Sequence, residues 1–310
     1  MGADQKSVSE ANTIGEYFIL DLVGSGGLGQ VYKAKHRRTK EIVALKRLHD
    51  QYQTNKKLLG LFHKEIMIHS QVSHPNCVRF VEACLTPPDA HIVTSFVDGY
   101  NCHSLIRDHA PLPPLVACCI MIDFLQGLEH LHCLDIVHTD ITPANLMIEK
   151  SGRVMLADFG LSSHHEIENY EGIMVGTPGY QAPERLQNAP ITTAIDIYGA
   201  GIVLYELLRG ERLFPNPAIK ETLPRMQKIK VDWVQTGNRE VDKLLKSCIA
   251  GSLAFQPGKR FETPKHFMFA IYQILKLFQI RFTRRAILQW MVEKKLTHHA
   301  PPSQLQRIHI

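Results

Sequence analysis

The rhythm of apolar and polar positions changes near residue 100. Before it, apolar residues come in short, loosely alternating runs, and Tyr17–Val23, Gln30–Lys35, Ile42–Leu48, Val78–Ala83 and His91–Val97 each read as strands. One helical stretch interrupts them, Leu58–Val72, whose Leu58, Leu61, Phe62, Glu65, Ile66 and Ile68 recur at helical spacing until His74-Pro75-Asn76 breaks it. From Pro113 onward the period turns helical over Leu115–Leu134, Ile195–Arg209, Glu240–Ala250 and Pro264–Leu277. The pattern predicts an α+β protein of two lobes, a small strand-rich one over 14–97 and a larger helical one over 98–278, with the hinge near Val97–Tyr100. Residues 1–13 are polar and expected to fray, and residues 279–310 form an extension beyond the second lobe.

Composition narrows the class. Of 310 residues, 45% are apolar and 21% charged, which excludes a disordered chain, a collagen-like repeat and a disulfide-dense miniprotein. The net charge of +5 is not spread evenly: residues 279–310 hold six Lys or Arg and one acid, so the preceding chain is neutral. The seven cysteines are odd in number and form no C-x-x-C pair, which points to reduced thiols and a cytoplasmic setting. No apolar segment follows a basic start, and Met1-Gly2 lacks the Ser or Thr at the sixth position that a myristoylation signal needs. The most apolar run, Ile197–Leu208, is too short to cross a bilayer. Neither a membrane nor a nucleic-acid partner is expected.

Candidate chemistry begins in a glycine-rich turn, Gly24-Ser25-Gly26-Gly27-Leu28-Gly29, between two strand-like runs. G-x-G-x-x-G alone also marks dinucleotide folds, but there a helix follows; here Val31-Tyr32-Lys33-Ala34 reads as a strand. Such a hairpin can lie over a triphosphate, its bare backbone approaching the phosphates without a Cβ in the way. Lys46, in Val43-Ala44-Leu45-Lys46, can neutralise phosphate oxygens from a neighbouring strand, and Glu65 on an otherwise apolar helix face needs a cation to pair with. Further on come His138-Thr139-Asp140-Ile141-Thr142-Pro143-Ala144-Asn145, Asp158-Phe159-Gly160, and Gly176-Thr177-Pro178 before Ala182-Pro183-Glu184. Asp140 can accept a proton from a hydroxyl, and Asn145 and Asp158 offer hard oxygen ligands suited to Mg²⁺.

In this order and at these spacings the motifs resemble those of eukaryotic-type (Hanks-type) serine/threonine protein kinases, most like bacterial members, over residues 15–278. The resemblance implies a two-lobed kinase-like fold and transfer of the γ-phosphoryl group of ATP, with Mg²⁺ or alternatively Mn²⁺, to Ser or Thr of a protein substrate. It implies that Val23, Gly24, Ser25, Gly26, Gly27, Leu28, Gly29, Gln30 and Val31 cover the nucleotide. Lys46, paired with Glu65, would hold the phosphates, and Thr94, Ser95, Phe96 and Val97 would line the adenine edge. Val31, Ala44 and Met147 would sandwich the ring. Asp140 would be the base, with Lys46 and Thr177 as further catalytic residues, and Asn145 and Asp158 the metal ligands. Glu184 paired with Arg260, and Asp196 beneath the catalytic loop, would be scaffold.

Three positions depart from the family. Thr139 stands where an arginine usually grips an activation-loop phosphate, and the segment between Asp158 and Glu184 lacks the usual mid-loop Ser or Thr. The two absences agree, and predict activity without activation-loop phosphorylation. Thr142 replaces a lysine that contacts the transferred group, which predicts low turnover and leaves a pseudokinase or nucleotide-binding scaffold as the alternative. A small-molecule kinase fits less well, because the Gly-Thr-Pro and Ala-Pro-Glu segments suit a peptide platform. His69, four residues after Glu65, occupies a position usually apolar; a neutral core histidine is the simple expectation and a pH-sensitive latch the sharper one. In the extension, Ile287, Leu288, Met291, Val292 and Leu296 form a helical stripe flanked by Arg284, Arg285, Lys294 and Lys295. This predicts a helix docked on the second lobe, with a protein-docking surface as the alternative.

Overall fold

The structure, a computed structural model, describes residues 13–26, 28–160, 162–164, 177, 179–215, 219–229, 234–280 and 282–297. Met1, Gly2, Gly27, Gly176 and Pro178, all named in the sequence analysis, lie outside the described residues.

The first part is a six-stranded antiparallel sheet in the order β1-β2-β3-β4-β6-β5, with β1 Thr13–Ile14, β2 Tyr17–Ser25, β3 Gly29–His36, β4 Ile42–Leu48, β5 Phe80–Cys84 and β6 His91–Ser95. Helix α1, Lys56–His69, starts where Asn55 accepts the free N–H groups of Lys57 and Leu58, satisfying donors a first turn leaves unpaired. Thr13, expected to fray, pairs with Phe18 instead, because Ile14 buries itself in the sheet core with Tyr17, Val43 and Leu45. Strand β5 begins at Phe80 rather than Val78, and β6 ends at Ser95 rather than Val97, since Val78 and Val97 pack with Met147 and Met155 instead.

The second part opens with β7 Gly99–Asn101 and α2 Cys102–His109, a helix the sequence reading passed over. Asn101 caps it by accepting from Ser104 N. Helices α3 Pro114–Cys133, α5 Ala194–Arg209, α7 Arg239–Ser252 and α8 Pro264–Leu277 build the main core; the short α4 Pro183–Leu186 and α6 Ile219–Met226 flank it. By length and composition α3, not Ile197–Leu208, could cross a membrane; in the fold most of its side chains are core. Strands β8 Ile136–Val137, β9 Leu146–Glu149, β10 Val154–Leu156 and β11 Ser163–His164 pair as β10-β9-β7 and β11-β8. They carry the loops that face the sheet.

Helix α9, Thr283–Glu293, is the core of the extension. It is not a continuation of α8, because Gln279 takes a left-handed conformation (φ 55°) that ends that helix. Ile287, Trp290 and Met291 are buried against the second part, and Val292, placed on the apolar stripe by the sequence reading, is 53% exposed. Trp290 is the third member of that face. Thr283 Oγ1 donates to Asp123 Oδ1 at 2.9 Å, Arg284 Nε to Ser151 O at 2.9 Å, and Tyr100 OH to Leu296 O at 3.1 Å.

Candidate active site

Alternation along β4 sends Val43 and Leu45 into the sheet core and Ala44 and Lys46 toward the cleft between the two parts. There Lys46 Nζ donates to Glu65 Oε1 at 2.9 Å and Oε2 at 3.1 Å, and to Asp158 Oδ1 at 3.2 Å. One ammonium thus ties the sheet, α1 and the segment after β10 together. Burial alone would drive Lys46 toward its neutral form, but Asp158 and Glu65 outweigh it and hold the ammonium above its ordinary range. Burial pushes Asp158 up, and Lys46 with the Gly160 N–H overcome this, keeping its carboxyl below the usual value. For Glu65 burial wins over Lys46, and its carboxyl is raised. A Cβ at Gly160 would lie 3.1–3.2 Å from Asp158 Oδ1, Glu65 Oε2 and Lys46 Nζ, so any larger residue would push this network aside by a few tenths of an ångström.

Asp140 follows β8. Its Oδ2 accepts from Asn145 Nδ2 at 3.1 Å and its Oδ1 from Thr177 N at 2.9 Å, while Asn145 Nδ2 also donates to Asp140 O at 2.9 Å. The loop is held from below: Asp196 Oδ2 accepts from His138 N at 2.8 Å and lies 2.9 Å from His132 Nε2, and its Oδ1 accepts from Thr139 N at 2.9 Å. This support matters because Thr139 sits at φ 67°, a region that strains a β-branched residue by about 1–3 kcal/mol. The partner expected for Glu184 is in place: Arg260 Nη1 and Nη2 reach its two oxygens at 2.6 and 2.7 Å. His132 is a contributor that sequence reasoning missed; its only signal was a histidine on the helix just before the loop.

Most nucleotide-site candidates converge. Val31, Ala44, Lys46, Glu65, Thr94, Ser95, Phe96, Val97, Asn145, Met147 and Asp158 line one cleft. Val23, Gly24, Ser25, Gly26, Leu28, Gly29 and Gln30 belong to the hairpin of β2 and β3 and are not part of that lining. Gly29 packs so close to the Arg47 carbonyl that any Cβ would collide with it. Phe96 turns its ring to Lys33, whose Nζ lies 4.8 Å from the centroid. Thr142 is buried at the start of the turn that carries Asn145.

His69 lies against Phe159, ring centroids 4.3 Å apart, and Phe159 also meets His138, at 5.6 Å. Its Nε2 donates to Val78 O at 2.8 Å, and burial pushes its pKa down to about 4. The neutral core histidine therefore describes it, not the latch. Because the folded state takes up a proton only near pH 4 while the unfolded chain does so near its ordinary value, stability is lost as pH falls between these values. Moving from pH 7 to 5 should remove about 2 kcal/mol through this group. His69→Leu should flatten the loss by that amount in urea titrations at the two pH values; an unchanged slope would contradict the assignment.

A sheet part and a helical part meet at a cleft that joins a buried lysine–carboxylate network to a supported aspartate, a two-lobed architecture. The chain matches the family described as protein kinase domain over residues 17–269, and it belongs to that family. It is 30% identical over 227 residues to serine/threonine-protein kinase PkaA of Streptomyces coelicolor, covering 67% of this chain and 41% of that protein. It is 28% identical over 262 residues to a probable serine/threonine-protein kinase of Clostridium perfringens, covering 84% and 38%. With serine/threonine-protein kinase PrkC of Bacillus subtilis it shares 29% over 251 residues, covering 80% and 39%. The chain thus spans only about two fifths of the length of these relatives.

Proposed function

We propose that the chain is an ATP-dependent protein kinase that phosphorylates Ser or Thr of a protein substrate, with 14–97 as its N-lobe and 98–278 as its C-lobe. One observation carries the reading: Lys46 bridges Glu65 and Asp158 in the cleft, and Asp140 is held beside Asn145 and Thr177. In this reading Val31, Ala44 and Met147 enclose the adenine, and Lys46 neutralises phosphate oxygens. Asp140 receives the hydroxyl proton as the substrate oxygen bonds to the γ-phosphorus and the bond to the β-phosphate oxygen breaks, releasing ADP. The transition state is loose, so orientation and charge neutralisation supply most of the rate.

Asn145 and Asp158 suit a magnesium ion. The Asn145 amide nitrogen is committed to Asp140, which leaves its carbonyl oxygen, and Lys46 and Gly160 N take Asp158 Oδ1, which leaves Oδ2. Among the described residues no group of three His, Cys, Asp or Glu gathers as a metal cage. Two oxygens fit an ion that keeps waters and takes further ligands from phosphates. When bound, the ion would neutralise charge on those phosphates.

The absence of an arginine at Thr139 supports activity independent of activation-loop phosphorylation. Treatment with a protein phosphatase should leave the rate within about twofold, whereas abolition would contradict this. All seven cysteines are free, which supports a reducing, cytoplasmic setting. The burial of Ile287, Trp290 and Met291 favours a packed tail over a docking one, leaving exposed Arg285, Lys294 and Lys295 for any partner. Incubation with γ-labelled ATP and a generic protein substrate tests the function: alkali-labile label on Ser or Thr is expected, and no label, or label on Tyr alone, would overturn it.

A further inference from the structure

A turn rich in glycine has more unbound conformations to lose than any other composition, so covering a nucleotide with it carries an entropic penalty. In this chain the turn between β2 and β3 is tethered. His49, the residue after β4, lies with its Nε2 2.8 Å from Gly26 O. A carbonyl can only accept, so Nε2 carries the proton and donates. The His49 backbone N–H donates to Leu28 O at 3.0 Å, and inside the turn Gly26 N donates to Gly29 O at 2.9 Å. One residue therefore grips the turn at two carbonyls, on either side of Gly27.

The anchor is itself fixed. Buried Gln53 donates to Leu48 O at 2.8 Å and accepts from Ala90 N at 2.9 Å, and Leu48 N donates to Ala90 O at 3.2 Å. The His49 ring meets Tyr52 edge-on at 6.1 Å between centroids. A side chain donor on so firm a base limits the motion of whatever it holds.

We propose that His49 is a positioning residue that pre-organises the glycine-rich turn for nucleotide binding. The inference rests on the kinase reading for its ligand, though the tether acts without one. Ordering the turn in advance removes part of the penalty that binding would otherwise bear, so the effect falls on ATP affinity and not on the chemical step.

The test compares wild type with His49→Leu, which keeps bulk but has no donor, and His49→Gln, whose amide restores one. In the nucleotide-free protein, amide exchange in the turn should quicken in the Leu variant and return toward wild type in the Gln variant. With Mg·ATP, the Leu variant should show a KM and a calorimetric Kd raised about threefold to tenfold, the worth of one lost hydrogen bond, with kcat unchanged or increased. The Gln variant should recover affinity to within about twofold. Unchanged exchange and affinity in the Leu variant would overturn the proposal, as would a Gln variant as weak as the Leu one. Quickened exchange in a protein that binds no Mg·ATP would retain the tether and reject the nucleotide role, along with the kinase reading beneath it.

Discussion

A chain cut after residue 278 should fail to fold. The deleted segment carries Ile287 and Met291 at 0% exposure, Trp290 at 4% and Leu296 at 7%, all within the main core and packed largely on α3. Large-to-small changes at single core positions cost about 2–5 kcal/mol each, and a domain's whole stability is about 5–15 kcal/mol. Losing four such side chains at once amounts to about 8–20 kcal/mol, enough to consume most or all of that margin. Polar groups are stranded as well: Asp123 loses the Thr283 hydroxyl and Tyr100 loses the Leu296 carbonyl. Burial already pushes the Asp123 carboxyl above its usual range, with Thr283 among the groups that oppose it. Circular dichroism and size exclusion of residues 1–278 should show an unfolded or aggregated chain. A cooperative melt within a few degrees of the full chain would mean that the tail is an appendage.

Lys46→Met should damage stability and phosphoryl transfer together. Methionine fills much the same volume but leaves Glu65 and Asp158 without the cation that both contact. Breaking a buried charge pair by removing one partner costs about 3–5 kcal/mol, because the remaining charge is left desolvated and unpaired. Here two carboxylates remain, and α1 and the segment after β10 lose the group that ties them to β4. Phosphoryl transfer should fall by about 10²–10³-fold, comparable to losing a preorganised electrostatic donor. Urea denaturation and initial rates would be measured together. Full activity with lower stability would reduce Lys46 to a structural tie.

The sequence made local periodicities and ordered motifs legible, and long-range pairings much less so. Lys46 with Glu65, and Glu184 with Arg260, could be read because an acid among apolar neighbours demands a partner and the family pattern names it. Helix α2 was hidden by its shortness and polarity, whereas α3, legible over Leu115–Leu134, runs over Pro114–Cys133. The tail helix was visible but turned to the wrong angle: Val292 faces out and Trp290 faces in. Its anchors join residues far apart in the chain, Thr283 to Asp123 and Leu296 to Tyr100, and no spacing rule reaches so far. His49 escaped for a different reason. A histidine after a strand carries no motif, and only the folded backbone shows which carbonyl it meets.

The most direct measurement is label transfer from γ-labelled Mg·ATP by Asp140→Asn beside wild type, with nucleotide affinity measured on both. Asparagine keeps the shape of a side chain that meets Asn145 and Thr177 N, but it cannot accept the substrate's proton. Removing a positioned base is worth about 10²–10⁴-fold. The account predicts a fall of that size in transfer with ATP affinity within about twofold. Nucleotide binding in both proteins with no transfer that depends on Asp140 would contradict it, and would make the chain a nucleotide-binding scaffold.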